Sequence, residues 1–242
     1  MREHVRVEKK REYLMIKIEI SKAVCDAFPE LRISYFTVTQ LRQNLHSANA
    51  EKLLNAAMAD IQPLNIQGEA IGQLPLLSPW RAAFAKQGVK PAKFRPSAEA
   101  LFRRFASGRY VSVGNALIDA YNAISARFQV PIGIYDQEKI QSTISVRHLA
   151  DGDQFSPLGA NASDYFLDSK IVGYTSGSTV MCWSFNHRDS QLTCIDENTE
   201  KALIVAESIH VSQQESRKAA ISEMREWLGS WGVNVSEIQE AV

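Results

Sequence analysis

Apolar and polar residues alternate along YLMIKIEI (13–20) and again along ELRISYFTVTQL (30–41), where the apolar set is largely β-branched or aromatic; a period of two predicts a strand in each. KAVCDAFP between them reads as a short helical turn closed at Pro29. The spacing then changes. ANAEKLLNAAMA (48–59) has helical periodicity and is followed by a loop-rich stretch to Pro79. Ser78 ahead of Pro79 reads as the N-cap of a helix that stops at Gly88. FRPSAEALFRRFASG starts another at Pro96 or Ser97 and ends it at Gly108.

The most regular helix is GNALIDAYNAISARF (114–128). At about 100° per residue, Leu117, Tyr121, Ile124 and Phe128 share one side, Asn115, Asp119 and Asn122 a second, and Ala116, Ala120 and Ala123 a third. The alanine side admits a close neighbour. The polar triplet either faces water or is buried with its donors and acceptors satisfied, where it fixes adjacent loops or lines a pocket. Downstream, PIGIYD, TISVRHL (143–149), KIVGYT (170–175), STVMCWSF (178–185) and KALIVAESI (201–209) predict strands, separated by turn-rich segments such as LADGDQFSPLG. SRKAAISEMREWLGSW predicts an amphipathic helix with Ile221, Met224 and Leu228 toward the core. Strands, helices, strands and a last helix predict an α+β fold rather than a doubly wound sheet. The expected organisation is a charged segment over 1–12, a domain over 13–210, and a helical segment over 211–242 packed on it.

With 242 residues, 45% of them apolar, the chain has enough material for one substantial core or a compact pair. No stretch approaches the roughly 18 apolar residues of a membrane span, and MREHVRVEKKRE is charged where a signal peptide needs an apolar centre. A cytoplasmic protein with no membrane partner is expected. Three scattered cysteines, Cys25, Cys182 and Cys194, fit unpaired thiols in a reducing compartment. A net charge of zero argues against nucleic-acid binding through the whole surface, but the charge is not even. Arg81, Lys86, Lys90, Lys93, Arg95, Arg103, Arg104 and Arg109 fall in one segment whose only acid is Glu99. That segment is either a phosphate-contacting patch or a solvated face balanced by acids elsewhere.

YTSGST (174–179) has the letters that open the ATP-phosphate loop of adenylate-forming enzymes, but Val180, Met181, Cys182 and Trp183 follow, with no lysine to meet a phosphate. A hairpin with Gly177 at positive φ is the better reading. GxxxxGK[ST], GxGxxG and GxSxG are all absent, and Cys182, His187 and Cys194 match no usual zinc spacing. No metal and no cofactor are expected. FNHRDSQLTCIDENT (185–199) remains: Asn186, His187, Arg188, Asp189 and Gln191 either bind a polar ligand or form a turn with its own local hydrogen bonds.

FRPSAEALFRRFASG, VSVGNALIDAYNAISARFQVPIGIYD, ISVRHLADGDQF and WSFNHRDSQLTCIDENTEKALIV, in that order and at compatible spacing, resemble the paired third and fourth domains of the phenylalanyl-tRNA synthetase β subunit. The resemblance extends over about residues 15–210, and is greater still to free-standing bacterial proteins made of that module alone. It implies an α+β fold of two intimately packed subdomains with mixed and antiparallel sheets. It also implies an editing hydrolase that removes a wrong amino acid from tRNA in a pocket between them, without ligase activity and without a protein nucleophile. The partner implied is the aminoacylated 3′ end of tRNA, not DNA. Carried over by position, Asn186, Arg188 and Asp189 are the catalytic candidates; Asn115, Asp119, Asn122, Asp136, Arg147 and Gln191 are the substrate-binding ones. Lys90, Lys93, Arg95, Arg103, Arg104 and Arg109 are the candidate contacts to tRNA. Bacterial synthetases carry a histidine in the turn where PIGIYD has Gly133, and their glutamate for the tyrosine hydroxyl has Asp189 or Gln191 as its nearest counterpart, so the amino acid is left open. A non-catalytic tRNA or RNA module, or a pocket for a free amino acid derivative, are the alternative readings.

Overall fold

The computed structural model describes residues 16–41 and 47–242. The charged segment 1–12 and the first residues of the expected opening strand lie outside them. The strands are β1 (Lys17–Ile20), β2 (Arg32–Thr39), β3 (Ile132–Asp136), β4 (Thr143–His148), β5 (Val172–Ser176), β6 (Thr179–Trp183), β7 (Arg188–Asp189), β8 (Lys201–Ser208), β9 (Asn234–Val235) and β10 (Gln239–Ala241). The helices are α1 (Lys22–Ala27), α2 (Glu51–Ile61), α3 (Ser78–Lys86), α4 (Ser97–Ala106), α5 (Ala116–Phe128) and α6 (Gln214–Ser230). The fold is α+β, as the order of elements predicts.

Two sheets form. The first runs β1-β4-β5-β6-β7 and is mixed, because β1 lies parallel to β4 while its other pairs are antiparallel. The second runs β10-β2-β8-β3, all antiparallel, with β9 also on β2. Strand alternation decides what each face covers. Ile144, Val146, Tyr174 and Cys182 of the first sheet meet Ile33, Tyr35, Leu203 and Val205 of the second in one buried cluster. The other face of the second sheet, with Phe36, Val38, Ile132 and Ile204, packs on α5 and on Ile221, Met224 and Leu228 of α6. A third cluster joins α2, α4 and α5, where Ala123 and Ala126 let the helices approach.

Local signals hold where a side chain or a backbone angle enforces them. Asn115 caps α5, its Oδ1 accepting from Leu117 N (3.0 Å) and Ile118 N (3.2 Å). Gly177 has φ +61 in the β5–β6 hairpin, and Gly108 has φ +64 just past α4. Ser78 is the first residue of α3 rather than its cap, which is Leu77, and residues 47–50 form a 3-10 turn ahead of α2. β9 and β10 carry too few residues to show a period. They close on β2 through a buried group: Arg217 of α6, 2% exposed, donates to Glu240 Oε1 (2.9 Å) and Oε2 (2.7 Å). Glu240 also accepts from Ser34 Oγ at 2.5 Å.

Candidate functional site

The chain between β6 and β7 turns through two consecutive left-handed residues, Ser184 (φ 51) and Phe185 (φ 58). A bulky residue there costs on the order of 1–3 kcal/mol and persists only where packing holds it. Phe185 is fully buried, its ring 5.1 Å from Phe28 and 5.6 Å from Trp80, edge-on to each. The turn so fixed aims Asn186 inward. Its Oδ1 accepts from Ser97 N at the start of α4 (3.3 Å), and its Nδ2 donates to Glu207 Oε2 (3.4 Å).

Glu207 stands on β8 in register with Leu203 and Val205, so its carboxyl enters the space between the sheets, 3% exposed. Burial pushes it up to about 8, with Asn186 and Tyr174 opposing the rise and Asp189 adding to it. Glu207 is therefore largely a neutral carboxylic acid at pH 7, able to donate as well as accept. The Tyr174 hydroxyl makes no hydrogen bond of good geometry yet lies close enough to feel that carboxyl. Nearby, Tyr135 on β3 donates its hydroxyl to Asp189 Oδ1 on β7 (3.2 Å). Burial raises Asp189, and it also raises the Cys182 thiol beside it, keeping that thiol protonated.

Glu207→Gln tests this protonation. With a folded value raised above the ordinary one, the wild type loses stability as pH rises through about 8. Between pH 6 and pH 9 its thermal midpoint should fall, by an equivalent of a few kcal/mol at most, and that of the glutamine variant should stay flatter. Equal slopes by calorimetry refute the assignment.

β3 and β7 are each the last strand of their sheet, so the Tyr135–Asp189 bond joins two sheet edges where the packed space between the sheets reaches the surface. Gly133, Tyr121 and Asp189 are half-buried there, while Tyr135, Tyr174, Cys182 and Glu207 form the interior. The Tyr121 phenol is raised by burial and feels the carboxylates of both Asp189 and Asp119. Asp119, fully buried, accepts from Tyr110 Oη (2.7 Å), Val113 N (3.1 Å) and Ser112 Oγ. Asn122 Nδ2 donates to Tyr110 Oη (3.0 Å), and the Tyr110 ring stacks on Phe105 at 4.3 Å. The polar side of α5 is thus buried, pinning the 109–114 loop.

The expected residues divide. Asn186 and Asp189 come together with Glu207, and Asp119 and Asn122 lie nearby through Tyr110 and Tyr121. Arg188 turns outward, donating to Tyr165 Oη (3.2 Å) and Leu158 O (3.2 Å). Arg147 projects from the face of β4 opposite Ile144 and Val146, in a two-bond pair with Asp153 (2.7 and 2.9 Å). Asp136 accepts from Thr199 Oγ1 (2.8 Å) and Glu138 N (2.9 Å), and Gln191 donates to Pro157 O (2.9 Å). His187 is held apart as a neutral imidazole: Nδ1 lies 2.7 Å from Arg95 O, Phe94 and Trp183 box the ring, and burial lowers its pKa to about 4.

The basic segment also divides. Buried Glu99 Oε1 takes Arg81 Nη1 (2.9 Å) and Arg103 Nη2 (2.8 Å), with Arg95 Nε at 3.9 Å, and Lys93 reaches Asp164 at 3.5 Å. Lys90, Arg104 and Arg109 are exposed and have no ion pair among the described residues. Arg103 and Arg109 line an open groove of about 500 Å³ with Ile66, Ile71 and Ala106.

Sequence reasoning missed Glu207, Tyr135 and Tyr174. One signal for Glu207 was present: an acid in phase with the inward side of KALIVAES, just after the apolar run ALIVA.

The B3/4 domain matches residues 79–242, more than half of the chain. A tRNA(Ile)-lysidine synthase of Caldanaerobacter subterraneus subsp. tengcongensis is 31% identical over 85 residues, covering 31% of this chain and 18% of that protein. An N-terminal fragment of the phenylalanyl-tRNA synthetase β subunit from Pyrococcus horikoshii aligns with a TM-score of 0.48 and 14% identity, over 91% of this chain and 50% of that one. The chain thus spans half or less of each. The chain belongs to the B3/4 domain family, the type of module in the phenylalanyl-tRNA synthetase β subunit that its segments resemble.

Proposed function

We propose that this chain hydrolyses the ester of misacylated tRNA in trans, in the cleft between the edges of β3 and β7. The observation that carries the reading is the interior itself. Asn186, the neutral acid Glu207, Tyr135 and Tyr174 offer hydrogen-bonding groups in a water-poor space, behind a half-exposed mouth. Such a set suits an uncharged polar ester and strengthens electrostatic contacts to charge that develops on it. No protein nucleophile is needed, because an aminoacyl ester is already activated. Cys182 is held as a thiol and His187 is committed to Arg95 O. A positioned water, aided by the terminal ribose hydroxyl of the tRNA, is the attacking group, and Asp189 at the mouth orients it or the substrate α-amine.

The charged end of the tRNA reaches the mouth along the segment that the Asp119 group pins. Arg109 begins that segment, and Arg104 lies one turn earlier on α4. Both are free to meet phosphates, whereas Arg95 and Arg103 chiefly neutralise Glu99. Replacing Arg104 and Arg109 together by alanine should weaken tRNA binding and lower the slope of log affinity against log salt by about 2. An unchanged slope removes these two residues from the interface.

The deciding experiment incubates the pure full chain with tRNAs carrying a panel of wrong amino acids. Loss of at least one ester above its uncatalysed rate supports hydrolysis. Binding without loss makes the chain a non-catalytic tRNA module. Neither result at low salt, where phosphate contacts are strongest, sinks both readings.

A further inference from the structure

Aromatic rings fill the space between the two sheets behind the Tyr135–Asp189 junction. Tyr135 and Tyr174 project into it from facing sheets with centroids 6.5 Å apart and planes 26° from parallel, and neither is more than 2% exposed. Tyr135 also covers the edge of β3. A Cβ built at Gly133 would stand 2.8 Å from the Tyr135 hydroxyl and 3.2 Å from two of its ring carbons, so the phenol occupies the place a side chain at 133 would take. A strand glycine often marks close approach of a ligand or backbone; here the approaching group is the chain's own ring. Asp189 holds it there through the Tyr135 hydroxyl at 3.2 Å.

We propose that Tyr135 is a built-in filler that sets the size of the acyl group, so that the chain accepts a compact, uncharged polar amino acid of about the size of serine or cysteine and rejects aromatic ones. This rests on the hydrolase reading. A substrate ring would add 150–250 Å² of surface to bury, in a space where Tyr135, Tyr174 and Cys182 already pack. It would enter only by displacing Tyr135, which breaks the bond to Asp189 and strands a carboxylate in a poor solvent. A hydroxyl or thiol on a short stem needs far less displacement, and Asn186 and Glu207 are the polar groups it would meet. A charged side chain finds no fixed counter-ion in the interior, where Glu207 is largely protonated.

The test uses one tRNA charged separately with serine and with tyrosine, and the full chain as wild type, Tyr135→Ala and Tyr135→Phe. Wild type is expected to hydrolyse the seryl ester at least 10-fold faster than the tyrosyl ester. Tyr135→Ala should lower the seryl-to-tyrosyl rate ratio at least 10-fold, whatever it does to the absolute rates, and Tyr135→Phe, which keeps the ring, should retain the wild-type preference; an unchanged ratio in a folded Tyr135→Ala chain overturns the filler role. Equal rates, or a tyrosyl preference, in wild type overturn the proposal and leave the hydrolase reading standing. If neither ester is lost, the wider panel decides the hydrolase reading, and binding of stable 3′-amide analogues of seryl- and tyrosyl-adenosine decides the size limit. Tyrosyl binding equal to or tighter than seryl binding, or no binding of either, overturns it there too. A Tyr135→Ala chain that does not fold leaves the wild-type comparison intact.

Discussion

Glu99→Ala lowers the unfolding free energy by about 3–5 kcal/mol. The carboxylate is fully buried on the inner side of α4, between Ala98 and Leu101, and its Oε1 is the meeting point of Arg81, Arg103 and, at 3.9 Å, Arg95. Removing it leaves like charges converging on an empty site, Arg81 and Arg103 each only about one-fifth exposed. Arg81 has little freedom to leave, because it passes over Gly72, where a Cβ would collide with its Nη1 at 2.3 Å. Glu99→Gln keeps the shape and loses the charge, so it should fall between wild type and alanine. Urea unfolding followed by circular dichroism measures the ranking. A loss under about 1 kcal/mol for alanine, the range of exposed pairs, would mean the guanidiniums relax into water.

Asp189→Ala should reduce ester hydrolysis by at least about 100-fold, in line with the loss of one preorganised polar contact at a reacting centre, while tRNA affinity changes less than about threefold. Asp189 joins the two sheet edges through Tyr135, and its backbone pairs with Cys182 across β6 and β7, a register the substitution leaves in place. The side chain is remote from the free cations Arg104 and Arg109 in sequence and in role, so binding and turnover should separate. Single-turnover hydrolysis together with filter binding reads both. Turnover within threefold of wild type would remove Asp189 from the chemistry and leave it a strut between strands.

The contrast between elements shows what a linear reading reaches. β2, α5, β8 and the β5–β6 hairpin are legible because each has a long period or a glycine at a required positive φ. The α+β class follows from their order. β9 and β10 are not legible: their pairing is fixed by a partner some 200 residues away and by Arg217 and Glu240, not by local preference. In the site, the 185–191 stretch draws attention through its density of polar groups, yet of Asn186, His187, Arg188, Asp189 and Gln191 only Asn186 and Asp189 reach Glu207 and Tyr135, because the left-handed turn at Ser184 and Phe185 sets the aim. Arg147 and Gln191 have the right chemistry on the wrong side of the first sheet or in its loops. The arginine cluster around Glu99 is invisible to a charge count, since the count sees one acid among eight bases and not that three of them converge on it.

The order of strands also governs how this chain is made. β2 lies between β10 and β8 in the second sheet, and β1 closes the edge of the first by pairing with β4, so both sheets recruit strands from before residue 79, where the family match begins. A fragment cut at that boundary would lose an edge from one sheet and an interior strand from the other, exposing β8 along its whole length. On the ribosome, β2 waits for β8 to emerge, so the early apolar strands spend much of synthesis without a mate. Non-local pairing of this kind slows folding and leaves unpaired strand edges exposed while the chain is incomplete.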